Sequence, residues 1–225
     1  MNDEYYVTES NLIEKAKLWE KEIRPYNLHK MKPKFPTTAL LVIDMQNFFL
    51  DPKSKTFTPG GLAIIPNAAK LIKAFRKNDR PVIYTAHVHK SPEMDGGIMT
   101  WWWEGMVIEN TEDAKIHQAL APRPEEKVIY KHRYSAFYNT DLEITLRCLK
   151  ITDLVVSGIM TNLCCETTTR EAYMRDYRVF FLLDATGTVN EDLHLATLKN
   201  LAFGFAYVTK TEEILRRIGD KTRRA

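Results

Sequence analysis

From residue 38 onward the chain alternates between short apolar runs and longer stretches whose apolar residues recur three and four apart. Ala39-Leu40-Leu41-Val42-Ile43 contains no polar residue, the pattern of a strand buried on both faces. Residues 62–78 follow, with Ile65, Ala68, Ala69, Ile72 and Phe75 at helical spacing. The strand signature returns at Pro81 to Thr85, Lys127 to Tyr130, Leu154 to Gly158, Val179 to Leu183 and Ala206 to Val208. The helical one returns at 142–149, 163–176, 191–203 and 212–218. Strands and helices alternating at this interval predict βαβ units and a parallel sheet. Right-handed crossovers put helices on both faces. The expected fold class is therefore α/β: a three-layer αβα, Rossmann-like arrangement around a six-stranded parallel sheet.

Two regions depart from this rhythm. Residues 1–37 hold one short helical pattern, Asn11 to Trp19, followed by an extended lead-in interrupted by Pro25, Pro33 and Pro36. Residues 90–126 form a long irregular insertion with Gly96-Gly97 and three consecutive tryptophans, Trp101 to Trp103. Insertions of this length are often lids or binding loops. The expected division is a helix and lead-in over 1–37, an α/β body over 38–218 and a basic tail over 219–225.

Composition sharpens the class. The 225 residues are 44% hydrophobic and 27% charged, as in a soluble globular protein. No apolar run approaches the ~18 residues of a spanning helix, and Met1-Asn2-Asp3-Glu4 lacks the basic-then-apolar start of a secretory signal. A cytoplasmic protein without membrane association is expected. The formal charge of +3 hints at nucleic acid, but the last ten residues carry +4, so the other 215 sum to −1. With no basic stripe interleaved with aromatics, nucleic acid is not an expected partner. Three cysteines make no disulfide framework and leave room for a functional thiol.

In open parallel sheets, ligands bind beyond the carboxyl ends of the strands. Three chemically suggestive residues follow strands there. Asp44 closes the first, Lys131 the third, and Cys164 comes shortly after the fourth, near a helix start. Singly, each has an ordinary reading: a turn-capping Asp, a snorkelling Lys, a buried Cys. At one sheet edge, they fit covalent catalysis by an activated thiol. Cys165 and Cys148 are expected to pack. His87 and His89 project to one side of an extended segment, but no spacing signature supplies a third ligand, so no metal is expected.

Three blocks give these positions a context. They are Leu40-Leu41-Val42-Ile43-Asp44-Met45-Gln46-Asn47-Phe48-Phe49, Lys131-His132-Arg133-Tyr134-Ser135-Ala136-Phe137, and Gly158-Ile159-Met160-Thr161-Asn162-Leu163-Cys164. In this combination and order, the chain resembles the isochorismatase-like hydrolase superfamily, or cysteine hydrolases, from about residue 38 to about 215. The resemblance implies catalytic Asp44, Lys131 and Cys164. It also implies a cis peptide between Ile159 and Met160, and an oxyanion hole from the amides of Met160 and Cys164. Substrate contacts are expected from Gln46, Phe49, His87, Trp102, Arg133, Tyr134 and Phe137. It implies a homo-oligomer, a dimer or tetramer, acting on a small molecule without a cofactor. Cysteine-bearing members largely hydrolyse amide, ureido or carbamoyl C–N bonds. Isochorismatases proper cleave a vinyl ether, with the aspartate as acid. The Asp-x-His metal motif of nicotinamidases is replaced here by His87-x-His89, which argues against nicotinamide and against a zinc or iron site. A C–N hydrolase is the first expectation, an isochorismatase the alternative and a non-catalytic oligomeric scaffold the third.

Overall fold

The computed structural model describes residues 5–219; apart from Gly219, the expected basic tail lies outside them. The six expected strands form one sheet in the order β3-β2-β1-β4-β5-β6. They are β1 (Thr38–Ile43), β2 (Val82–His87), β3 (Lys127–Lys131), β4 (Asp153–Ile159), β5 (Arg178–Gly187) and β6 (Tyr207–Thr209). Every neighbouring pair is parallel.

The alternation of side chains across a strand sorts the apolar runs into two cores. Leu40, Val42, Val155, Phe180 and Leu182 face one side, where α3 (Pro59–Lys77) and α8 (Thr211–Gly219) cover them. Leu41, Ile43, Val156, Phe181 and Leu183 face the other. That side is covered by α1 (Leu12–Ile23), α5 (Leu142–Cys148), α6 (Glu166–Tyr173) and α7 (Glu191–Gly204). Two short helices, α2 (Asn47–Leu50) and α4 (Ile98–Trp102), lie in the loops beyond the strand ends. Both faces of β1 are buried, which explains its lack of any polar alternation.

The helix expected from residue 163 starts earlier and differently: a π-helical turn, Thr161–Cys165, precedes α6. The lead-in is not a loose appendage, because Tyr6, Val7, Leu12, Ala16, Trp19 and Ile23 are buried in the core of the second face.

His194 on α7 is wholly buried there. Its Nε2 lies 3.1 Å from the Leu183 carbonyl and its Nδ1 2.9 Å from Thr161 Oγ1. Burial lowers its pKa from 6.5 to about 4. Below pH 6.5 the unfolded chain therefore takes up this proton before the folded chain does, and stability is lost as pH falls to about 4. The loss should amount to about 3 kcal/mol. Chemical denaturation at pH 7 and pH 4 is expected to show a smaller pH-dependent loss in His194→Gln than in the native chain.

Candidate active site

The order of strands places β1 at the topological switch point. The chain leaves β1 for β2 on one side, and β4 lies on the other. Gly158 makes the close approach of β4 possible. It pairs with Ile43 at φ +129°, and a Cβ there would lie 2.1 Å from the Ile43 carbonyl oxygen. The Ile159–Met160 peptide bond is cis.

Asp44 follows Ile43 directly, at φ +50°, a left-handed conformation that Asp tolerates better than most residues. Thr85, the cross-strand partner of Ile43, donates its hydroxyl to Asp44 Oδ1 at 2.6 Å. Asp44 Oδ2 lies 2.6 Å from Lys131 Nζ as an ion pair, yet accepts no hydrogen bond among the described residues. Lys131 arrives from β3, across β2, where it sits in register with His87. Both charges are sealed from solvent, Asp44 at 1% and Lys131 at 1% exposure. Burial opposes the charge on Lys131, but the Asp44 carboxylate and then Cys164 outweigh it and raise its pKa.

Besides Asp44, Lys131 Nζ has three acceptors within reach: the Arg133 carbonyl at 3.0 Å, Cys164 Sγ at 3.4 Å and His87 Nδ1 at 3.4 Å. Cys164 is buried in the π-helical turn. The side-chain ligand atoms of Asp44, His87 and Cys164 lie within 4.8 Å of one another. Burial, and then the Asp44 carboxylate, raise the thiol well above its ordinary pKa of 9.0, while Lys131 pulls the other way. The resting group is therefore an S–H, and its activation needs a base alongside. The buried carboxylate of Asp44 lies in the same cluster as that thiol.

His87 completes the wall. An ammonium only donates, so His87 Nδ1 accepts from Lys131 and its Nε2 carries the proton. That proton points to His89 Nε2 at 2.9 Å, which leaves the His89 proton on Nδ1, 3.3 Å from Asp95 Oδ1. Burial lowers the pKa of both rings, so both rest neutral. As hydrogen-bonded, the pair keeps no ring lone pair for a metal. His89, Asp95 and His132 bring ligand atoms within 4.8 Å. However, His132 Nδ1 is spent on the Val88 carbonyl at 2.6 Å.

Several residues expected to contact substrate hold bonds and packing within the fold. Gln46 is fully buried and braces the loops: its Nε2 donates to the His87 and Ala114 carbonyls, and its Oε1 accepts from His87 N. Phe137 packs in the core, stacked on Tyr177 at 6.0 Å with Arg175 over its ring. Phe49 lies edge-on to Phe48 and packs against the core of the first face. The Arg133 side chain binds the Asp95 carbonyl and so ties down the insertion. Trp102 is 62% exposed beside the equally outward Trp101. Instead, Trp103 donates its indole N–H to Tyr134 Oη at 2.9 Å. Cys165 is buried as expected, but Cys148 is exposed on α5. Thr85 leaves no local sequence signal because cross-strand register places it, and the path of an irregular loop decides which of the three tryptophans reaches Tyr134.

The tryptophans offer a direct check. Trp102→Ala should leave kcat/KM within about twofold, as for an exposed side chain. Trp103→Phe, which removes the bond to Tyr134, should cost up to about tenfold. Both are measured as steady-state turnover beside the native chain.

Residues 38–213 match the isochorismatase domain model. Nicotinamidase 3 of Arabidopsis thaliana is 43% identical over 86% of this chain and 94% of its own length. Enterobactin synthase component B of Escherichia coli is 32% identical over 79% of this chain, which spans 62% of that relative. The crystal structure of a cysteine hydrolase from Pseudomonas syringae pv. phaseolicola superposes with a TM-score of 0.81 at 30% identity. It covers 84% of this chain and 95% of its own. No helix among the described residues is long and apolar enough to cross a membrane.

Proposed function

Because this chain belongs to the isochorismatase-like cysteine hydrolase family, we propose that it cleaves a C–N bond of a small amide, ureide or carbamoyl compound through a thioester on Cys164. The observation that carries this reading is the sealed cluster of Asp44, Lys131 and Cys164 at the switch point. Asp44 takes the thiol proton on Oδ2. The thiolate attacks the substrate carbonyl carbon, and the oxyanion is held by the backbone amides of Met160 and Cys164. Collapse breaks the C–N bond, and Asp44 returns the proton to the leaving nitrogen. A water then gives a proton to Asp44 and attacks the thioester. The acid leaves, and the thiolate regains its proton from Asp44.

Lys131 acts by charge and by its N–H to sulfur. It pairs with the Asp44 carboxylate beside a buried thiol and supports the thiolate as it forms. His87, Tyr134 and Trp103 are the proposed wall of the acyl pocket. A relative named nicotinamidase supports an aromatic amide as the first substrate to test. We also propose that 38–218 is the catalytic body, that the protein is cytoplasmic and works as a dimer or tetramer, and that it binds no nucleic acid. Unpaired cysteines support a reducing compartment. The exposed Ile98 and Trp101 support an interface.

The test is intact-mass spectrometry after rapid quenching with a panel of amides, ureides and carbamates. Nicotinamide is included, and isochorismate serves as the vinyl-ether control. A mass increment on Cys164 equal to the acyl group is the expected result. Pyruvate release from isochorismate that persists after thiol alkylation would replace C–N cleavage with vinyl-ether hydrolysis.

A further inference from the structure

The turn that carries Cys164 is gripped at two consecutive residues by buried groups that lead back to the N-terminal lead-in, which lies outside the family match at 38–213. The first grip is on Thr161. The Leu183 carbonyl can only accept, so His194 Nε2 holds the imidazole proton and its Nδ1 must accept from the Thr161 hydroxyl at 2.9 Å. The ring that fixes this bond lies against Trp19, with centroids 4.5 Å apart. Trp19 is held in turn by its indole N–H on Glu191 at 2.7 Å, a carboxylate that also takes Lys15 at 2.7 Å.

The second grip is on Asn162. Its Oδ1 accepts from Thr188 Oγ1 at 2.6 Å, and Thr188 N donates to Tyr6 Oη at 3.2 Å. Tyr6, Trp19, Thr161, Thr188 and His194 are all buried. Water therefore cannot stand in for a lost partner without opening the core. The hydroxyl of a tyrosine is a costly group to bury for packing alone, since phenylalanine fills nearly the same volume. Here the hydroxyl ends on the backbone of the residue that holds Asn162.

We propose that Tyr6, and His194 seated against Trp19, are positioning residues for the nucleophile. They act through Thr188 and Thr161 to hold the Thr161–Cys165 turn so that Cys164 Sγ meets Lys131 and Asp44. The proposal rests on the reading of Cys164 as the nucleophile, and it gives the lead-in a part in catalysis beyond covering the core. A thiol displaced by a fraction of an ångström from its base and its attack line loses rate steeply while the fold persists.

The test uses the full chain and needs no substrate. Iodoacetamide labels Cys164 and the exposed Cys148, and peptide mass mapping gives a rate for each. Asp44→Asn checks the underlying reading: Cys164 labelling that does not depend on Asp44 removes the nucleophile assignment, whatever the other variants do. Given that dependence, Tyr6→Phe and Thr161→Val are each expected to slow Cys164 labelling by about fivefold. Cys148 labelling should stay near that of the native chain, the melting temperature should fall by only a few degrees for the one buried group left unpaired, and Thr161→Ser should restore the rate. Native-like Cys164 labelling in Tyr6→Phe and Thr161→Val overturns the proposal. So does a Thr161→Ser variant as slow as Thr161→Val. Faster labelling of both cysteines with a lowered melting temperature also overturns it, because it assigns these residues to stability alone.

Discussion

Replacing Cys164 with alanine is expected to lower kcat on the true substrate by about a thousandfold or more, the scale of losing a covalent nucleophile. The fold should survive, because the change removes one sulfur from a turn whose neighbours keep their bonds: Thr161 to His194 and Asn162 to Thr188. Binding should survive as well, so the variant is the natural one for trapping substrate. A serine in the same place probes the chemistry further. Its hydroxyl is far less acidic than a thiol, and Asp44 is a weak base for it, so Cys164→Ser should stay close to the alanine variant. The measurement is steady-state turnover with circular dichroism as the control. Turnover within tenfold of the native enzyme would end the covalent mechanism.

The second large effect concerns stability as much as rate. Lys131→Met should abolish turnover and also cost about 3–5 kcal/mol, since it strands the Asp44 carboxylate in a site closed to water. The cost comes from the partner left behind, and that makes the expectation specific. The double variant Asp44→Asn with Lys131→Met should regain most of the stability and none of the activity. Guanidinium denaturation of the four proteins forms a cycle that isolates the pair. If the single and double variants are equally destabilised, the charge contact is not what the lysine contributes.

The architecture could be read from the chain because its strands other than β3 are buried on both faces. A run such as Ala39 to Ile43 has only one physical explanation in an alternating α/β pattern, and the strand ends then locate Asp44 and Lys131 without further information. Cys164 followed from the same rule. What stayed hidden depends on contacts between segments far apart in sequence. Gln46 lies in the most recognisable block, yet its amide is consumed by loop backbone from 87 and 114, which no local pattern reveals. Phe137 lies in an equally recognisable block and turned out to be core. Among three adjacent tryptophans, the short helix Ile98–Trp102 decides which one turns inward. That helix is too brief to carry a periodicity. The helical pattern of Asn11 to Trp19 marks α1 but not where it packs: only the folded chain brings Tyr6 and Trp19 together over His194.

The position of β3 has a consequence for how the enzyme fails. This strand lies at the outer edge of the sheet, bonded to β2 alone, and two of its five side chains are exposed. Edge elements with few buried contacts open by local fluctuation well before the whole chain unfolds. Lys131 is the last residue of that strand. Hydrogen exchange is therefore expected to reach the β3 amides before those of β1 and β4, and an opening of β3 would withdraw the ammonium from Asp44 and Cys164 while the rest of the sheet stays folded.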